Sequence, residues 1–141
     1  MSVSPREVIR RLYKEFWNER KLEVADQLVS PSHALTGPHI AGPTVGPAVY
    51  KKQLAMFVAA FPDLRFTVEE TICEKDKIAA SWTLTGTHKG QFLGIPPTSK
   101  QISMAGVTIH QIEDGKILDS LVMWDAISLF QQVGIKLPIR F

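Results

Sequence analysis

The sequence predicts an α+β domain in which helices pack on one face of a curved antiparallel sheet. Apolar residues recur at helical spacing up to about residue 60, and from Leu64 onward the pattern becomes strand-like. The helices come first and the strands afterwards, which favours α+β over alternating βαβ units. With 141 residues, 45% of them hydrophobic, the chain is long enough for one core and short for two. We therefore expect a single domain over residues 1–141.

Three helices are predicted before the strands. Ser4, Pro5 and Glu7 form an N-cap, a first-turn proline and a capping-box glutamate. The first helix then carries a broad apolar stripe that must be buried, made of Val8, Ile9, Leu12, Tyr13, Phe16 and Trp17. A second helix is expected over residues 22–29 and a third over residues 47–60. Residues 30–47, which include His33 and His39, contain four prolines and three glycines and predict an irregular surface loop or pocket rim.

Two hairpins and a short helix are predicted in the second half. Residues 66–73 and 77–88 are rich in β-branched and aromatic side chains and flank a charged turn. Residues 101–112 and 116–125 are joined through Asp114 and Gly115, a strong two-residue turn signal. The final helix is expected to end at Gly134 in a left-handed C-cap.

Composition excludes several classes of protein. Charged residues make up 21% of the chain and nearly cancel to +2, so we expect no nucleic-acid partner. The lone Cys73 cannot form an intramolecular disulfide, and charges interrupt the N-terminal apolar residues, so we expect a cytoplasmic protein without a membrane segment. No metal-ligand spacing and no phosphate-binding glycine motif is present, so we expect neither a metal nor a cofactor.

The turn at Asp114 predicts which side chains of the second hairpin share a face. In a two-residue register His110 opposes Asp119, and Met104 opposes Asp125. Leu121 and Met123 lie on the same face, which is otherwise largely apolar. Such a surface can raise the pKa of an aspartate by desolvation and prepare it for proton transfer.

Three stretches together resemble the SnoaL-like polyketide cyclase and ester cyclase family. They are Phe61-Pro62-Asp63, the sequence GTHKGQFLGIPPT at residues 86–98, and Trp124-Asp125 followed by LFQQVG. The resemblance covers most of the chain. It implies a nuclear-transport-factor-2-like fold, a cystatin-like α+β cone of curved sheet and three helices around an apolar ligand cavity.

The resemblance also implies a reaction. In the best understood relatives an aspartate acts as acid/base in an intramolecular aldol ring closure of a polyketide, without metal or organic cofactor. Asp125 matches the family's aspartate after the last strand, so we predict it as the general acid/base, assisted by His110, with Asp119 orienting His110. The alternative is that Asp125 caps the final helix and that His110 is an ordinary strand histidine. The family often has a histidine near Thr36, which disfavours a catalytic role for His33 or His39.

The predicted ligand is a small hydrophobic or aromatic carbonyl compound. Its binding surface is expected to combine aromatic and apolar side chains with one loop histidine. These residues are Tyr13, Phe16, Trp17, Trp82, His88, Met104, Leu121 and Met123. For each aromatic residue, core packing is the alternative interpretation. Trp124 has the opposite strand parity to Asp125 and faces the pocket only if a bulge intervenes.

Two other functions stay open at this point. The same cavity and carboxylate could serve a hydrolase or dehydratase. A protein that only binds a small hydrophobic molecule would keep the pocket while Asp125 and His110 cap and pack. We also predict a homodimer through the outer sheet face, because Val107, Ile109 and Val122 would form an exposed apolar strip there.

Overall fold

A computed structural model describes residues 3–38 and 45–138 of the chain. His39, assigned above to an irregular loop, lies outside these residues. The described residues form four α-helices and one five-stranded sheet, with the core between the helices and one sheet face. The predicted α+β class is confirmed.

The helices begin where the sequence predicts. Ser4 Oγ accepts a hydrogen bond from the Glu7 amide at 3.2 Å and caps helix α1, Pro5–Arg11. The chain continues directly into a π-helical segment, Leu12–Asn18, whose Leu12, Tyr13, Phe16 and Trp17 are buried. The remaining helices are α2 (Glu23–Leu28), α3 (Pro47–Ala60) and α4 (Ala126–Gln132).

The sheet has the strand order β1-β5-β4-β3-β2. Its strands are β1 (Val29–Thr36), β2 (Arg65–Glu74), β3 (Lys77–Thr87), β4 (Gln101–Glu113) and β5 (Lys116–Trp124). All neighbouring pairs are antiparallel except β1 and β5, which run parallel. The sheet is therefore mixed, and the prediction of a purely antiparallel sheet is wrong in this one pair.

Strand β1 corrects the prediction for residues 30–47. The first part of that stretch is an edge strand and not an irregular loop. A proline is tolerated at a sheet edge, where a missing amide hydrogen costs no ladder bond, and the register shift between Val29 and Ala34 accommodates Pro31. The strand carries His33, which is fully buried.

A β-bulge corrects the predicted register of the second hairpin. The turn itself has the expected form, with positive φ at Asp114 (52°) and Gly115 (74°), and Glu113 faces Lys116. The register shifts by one residue between Gln111 and Ile112. His110 therefore faces Ser120, and Asp119 faces Gln111. Because side chains alternate along a strand, every residue of β5 beyond the bulge lies on the opposite face from the one predicted.

No helix among residues 3–38 and 45–138 is long and apolar enough to span a membrane.

Candidate active site

A narrow apolar cavity lies between the π-helical segment, α3 and the inner face of the sheet. Its empty space out to the mouth is about 520 Å³, of which only about 50 Å³ can hold the centre of a water molecule. The enclosed space of this slot is therefore small. The lining residues are Leu12, Tyr13, Trp17, Leu35, Tyr50, Gln53, Phe57, Phe66, Trp82, Met104, Thr108, His110, Val122 and Trp124.

Asn18 fixes the π-helical segment to the sheet and so positions the aromatic wall of the cavity. Its Nδ2 donates to the Phe66 carbonyl at 2.9 Å, and its Oδ1 accepts from the Phe66 amide at 2.8 Å. Trp17 directly precedes Asn18, and Tyr13 lies about one helical turn earlier. Both pack on the Phe66 ring, with centroid distances of 5.4 Å for Tyr13 and 4.8 Å for Trp17. The hydrogen bonds of Asn18 therefore hold Tyr13 against the cavity, because both residues belong to the π-helical segment.

Ser120 is the centre of a buried polar network at the inner end of the cavity. Its Oγ lies 2.8 Å from His110 Nδ1, 3.1 Å from His33 Nε2 and 2.9 Å from Tyr50 Oη. All four side chains are almost inaccessible to solvent. The other ring nitrogen of His110, Nε2, lies 3.5 Å from Tyr13 Oη, which is a long and weak contact. These two atoms therefore retain capacity to bind a ligand oxygen.

Both histidines are held neutral at physiological pH. Burial lowers the pKa of His110 to about 3, and the neighbouring His33 acts in the same direction. Burial also lowers the pKa of His33 to about 4, against the opposing charge of Asp119. The tyrosines behave alike: burial raises the pKa of Tyr13 and of Tyr50 above the usual range, so both keep their hydroxyl protons.

Trp82 and Thr108 complete the polar side of the cavity. Trp82 Nε1 donates to Thr108 Oγ1 at 2.9 Å. The Thr108 hydroxyl also interacts with the Tyr13 hydroxyl, an interaction that limits the rise of the Tyr13 pKa. Gly106 makes room for the indole, since a Cβ there would lie 2.3 Å from Trp82 Cζ2.

The structure does not place Asp125 in the cavity. Its side chain is exposed, and Oδ1 accepts a hydrogen bond from the Ser128 amide at 3.0 Å, which makes it the N-cap of α4. Its backbone amide donates to the Ala105 carbonyl at 3.0 Å, so it does not face Met104 as predicted. Asp119 is also exposed and cannot orient His110, because the bulge turns it to the other face. The described cavity lining contains no carboxylate.

Only some of the other predicted site residues lie at the cavity. Tyr13, Trp17, Trp82, Met104 and His110 line the cavity. Phe16 is buried behind it and packs on Trp17 and Tyr50.

Leu121 and Met123, 43% and 60% exposed, lie outside on the far face of the sheet because of the bulge. His88 is buried beneath the loop after β3, with Nδ1 at 3.0 Å from Thr98 Oγ1, and does not reach the cavity.

Several residues of the site were missed in the sequence. Tyr50 shares helix α3 with the predicted apolar residues, and a polar aromatic residue on that face was an available signal. The unshifted register placed Val122 on the outer face, and Ser120 has the same strand parity. His33 was set aside with the irregular stretch, although the structure buries it against Ser120. Trp124 lines the cavity because of the bulge. A bulge was the condition under which the sequence predicted that Trp124 faces the pocket.

Groups of three or more His, Cys, Asp or Glu side chains that could hold a metal ion do not occur among the described residues. The polar groups of the described cavity lining are hydroxyls, an amide, three indoles and one imidazole. Such neutral groups suit a carbonyl compound better than a cation.

A family model described as SnoaL-like polyketide cyclase matches residues 7–133. The chain belongs to this family. Among curated SnoaL-like proteins, it is 26% identical over 119 residues to nogalonic acid methyl ester cyclase from Streptomyces nogalater, covering 84% of this chain and 89% of the relative. The resemblance inferred from the three sequence stretches is therefore confirmed.

Solved structures of SnoaL-like proteins share the fold. IdmH from Streptomyces antibioticus, a candidate polyketide cyclase, has a TM-score of 0.83 and 26% identity over 94% of this chain and all of IdmH. A candidate cyclase from Acidithiobacillus ferrooxidans gives a TM-score of 0.82 and 28% identity, covering 94% of this chain and 97% of the other. A SnoaL-like protein from Jannaschia sp. CCS1, 22% identical, has a TM-score of 0.84 over 94% and 93% of the two chains.

Proposed function

We propose that this protein is a cofactor-independent cyclase or isomerase that acts on a small aromatic or polyketide-like carbonyl compound. The observation that carries the proposal is the pair of neutral groups, His110 Nε2 and Tyr13 Oη, 3.5 Å apart at the inner end of an apolar slot. Membership of the SnoaL-like family supports the reaction class. In this proposal Tyr13 and His110 act on the substrate, and Asp125 holds helix α4.

The pair acts by stabilising a developing oxyanion. A carbonyl oxygen that approaches both groups from the cavity receives a hydrogen bond from each, and these bonds strengthen as negative charge grows on the oxygen. The dry surroundings increase the effect, because little water competes for the charge. A neutral imidazole suits this task, since it polarises a carbonyl without first having to lose a proton.

The lack of a carboxylate in the described lining narrows the substrate class. Polarisation alone is sufficient when the carbon to be deprotonated lies between two carbonyl groups and is already acidic. We therefore propose a β-dicarbonyl substrate, which loses its α-proton to water at the cavity mouth. The enolate carbon then attacks a second carbonyl of the same molecule, a new carbon–carbon bond forms, and the resulting alkoxide takes a proton from Tyr13, which recovers it from solvent.

The experiment that tests this function uses nogalonic acid methyl ester, the compound for which the Streptomyces nogalater relative is named. The purified protein is mixed with the ester without added metal, and the ring-closed product is followed by chromatography. Catalysed closure supports the proposal. Binding of the ester, seen as quenching of the cavity tryptophans, with no increase in closure rate would contradict it.

The second candidate function is non-catalytic binding of a small hydrophobic molecule. It is favoured by the same lack of a carboxylate in the described lining and by the very low pKa of His110, which makes it a weak base. A hydrolase or dehydratase is less well supported, because no described group of the cavity can activate water.

We also propose a cytoplasmic homodimer that associates through the outer sheet face. Val107 pairs with Met123 and Ile109 pairs with Leu121 across β4 and β5, and each of the four is at least 43% exposed. They form one contiguous apolar strip of the kind that marks an interface. The strip differs from the predicted one in that Val122 faces the cavity and Leu121 and Met123 replace it.

A further inference from the structure

The contacts of Ser120 allow the hydrogen atoms of the buried network to be assigned. A serine hydroxyl has one hydrogen to donate and two lone pairs to accept. Its three neighbours, His110 Nδ1, His33 Nε2 and Tyr50 Oη, use all of this capacity. One neighbour therefore accepts from Ser120, and the other two donate to it.

His33 is one of the donors. Its Nδ1 is buried without a hydrogen-bond partner in the described part of the chain. A neutral imidazole has one N–H group. Leaving that N–H buried without an acceptor costs more free energy than leaving the lone pair of the other ring nitrogen without a donor. The hydrogen accordingly lies on Nε2, which donates to Ser120 Oγ.

Tyr50 is the other donor. Its hydroxyl lies 2.9 Å from Ser120 Oγ and forms a hydrogen bond with it. If Ser120 donated to Tyr50, the hydrogen of the buried Tyr50 hydroxyl would be left without an acceptor, which costs about 1 to 3 kcal/mol. If Tyr50 donates, every hydrogen in the network has an acceptor.

We propose that Ser120 is a positioning residue that donates to His110 Nδ1 and so fixes the hydrogen of His110 on Nε2, where it faces Tyr13 and the cavity. His110 is then a hydrogen-bond donor to the ligand oxygen and not a base. His33 and Tyr50 donate to Ser120 and occupy its two acceptor positions, and its hydrogen points to His110.

The position of the His110 hydrogen can be measured without substrate. Only its consequence, that His110 donates to a ligand oxygen, rests on the proposed function. The experiment is long-range proton–nitrogen correlation NMR on the uniformly ¹⁵N-labelled full chain between pH 6 and pH 8. The expected result is a protonated Nε2 and an unprotonated Nδ1 for His110. A protonated Nδ1 would overturn the proposal.

Two variants test the part played by Ser120. In Ser120→Ala the unprotonated Nδ1 of His110 loses its hydrogen-bond donor, so its ¹⁵N resonance should move to that of an imidazole nitrogen without a hydrogen bond. Ser120→Thr, which keeps the hydroxyl, should leave this resonance unchanged. If Ser120→Ala also leaves it unchanged, Ser120 does not donate to Nδ1 and the proposal fails.

Tyr50→Phe keeps the experiment decisive if Ser120→Ala does not fold. It removes one donor to Ser120 while His33 and His110 remain, so His110 should keep its hydrogen on Nε2. A shift to Nδ1 in Tyr50→Phe would contradict the assignment.

If the hydrogen is where we expect but His110 variants cyclise substrate at the full rate, the proposed function fails and the assignment stands.

Discussion

His110 Nδ1 lies 2.8 Å from Ser120 Oγ, on a strand pair where the undisturbed register would have placed Asp119. This one contact changes the chemistry expected of the site. A carboxylate beside the imidazole would have favoured the imidazolium form and a base, whereas a hydroxyl beside a fully buried imidazole leaves it neutral. The cavity then offers donors to an oxyanion.

Asp125 can be tested as a helix cap by stability alone. Asparagine caps a helix about as well as aspartate, so Asp125→Asn should unfold at nearly the wild-type urea concentration. Asp125→Ala loses the bond to the Ser128 amide and should lower the free energy of unfolding by about 1 kcal/mol. Equal stability of the alanine variant and the wild type would show that the cap contributes nothing.

The stability of the protein should fall in mild acid because of His33 and His110. Their pKa values in the folded state are about 4 and about 3, below the ordinary value of 6.5. The unfolded chain therefore binds more protons than the folded one below pH 6.5. The stability is fully present above that pH and falls by up to about 1.4 kcal/mol per pH unit for each histidine as the pH approaches 4.

Urea unfolding at pH 7, 6, 5 and 4 measures this dependence, and His33→Gln is the matched variant. The free energy of unfolding of His33→Gln should depend less steeply on pH than that of the wild type. The difference in slope should correspond to at most one bound proton. A slope identical to that of the wild type would show that His33 does not stay neutral in the folded protein.

Gly106 should be required for the position of Trp82. A Cβ at residue 106 would meet Trp82 Cζ2 at 2.3 Å, so Gly106→Ala must displace the indole and break its bond to Thr108. We expect a loss of about 1 to 3 kcal/mol in stability and increased quenching of tryptophan fluorescence by acrylamide. Ala105→Val, at the exposed neighbouring position of β4, serves as the control and should change neither quantity appreciably.

The outer apolar strip should determine the oligomeric state. Sedimentation of the wild type is expected to give a dimer, and Met123→Lys should give a monomer, because a charge would be buried in the interface. Ile135→Lys changes an exposed apolar residue outside the strip and should leave the dimer intact. A wild-type protein that sediments as a monomer at high concentration would contradict the proposed interface.

Much of the fold could be predicted because it depends on local patterns. Helix α3 has the predicted bounds, Pro47–Ala60, because Pro47 marks its start and its apolar residues repeat at helical spacing. Strand β1 could not be predicted, since the stretch that contains most of it, residues 30–47, has the proline and glycine content of a loop. Its pairing partner, β5, lies far along the chain. Parallel pairing at a sheet edge leaves little signal in the strand's own sequence.

The site depended on a feature that the sequence does not display. The bulge inserts Leu118 of β5 opposite Gln111 and Ile112, without any glycine or proline at the shift. It reverses the faces of Ser120, Leu121 and Val122. The aromatic wall was predictable because Tyr13 and Trp17 belong to a strong helical stripe. The polar end was not, because it joins residues from β1, α3, β4 and β5 that only the folded chain brings together.

The rates of Tyr13→Phe and Asp125→Asn, compared with the wild type on nogalonic acid methyl ester, test the central claim most directly. Removing one donor to an oxyanion should slow ring closure by about 100-fold to 1,000-fold in Tyr13→Phe, while Asp125→Asn should stay close to the wild-type rate. The opposite result, a fully active Tyr13→Phe and an inactive but folded Asp125→Asn, would show that Asp125 carries the chemistry and would contradict the account.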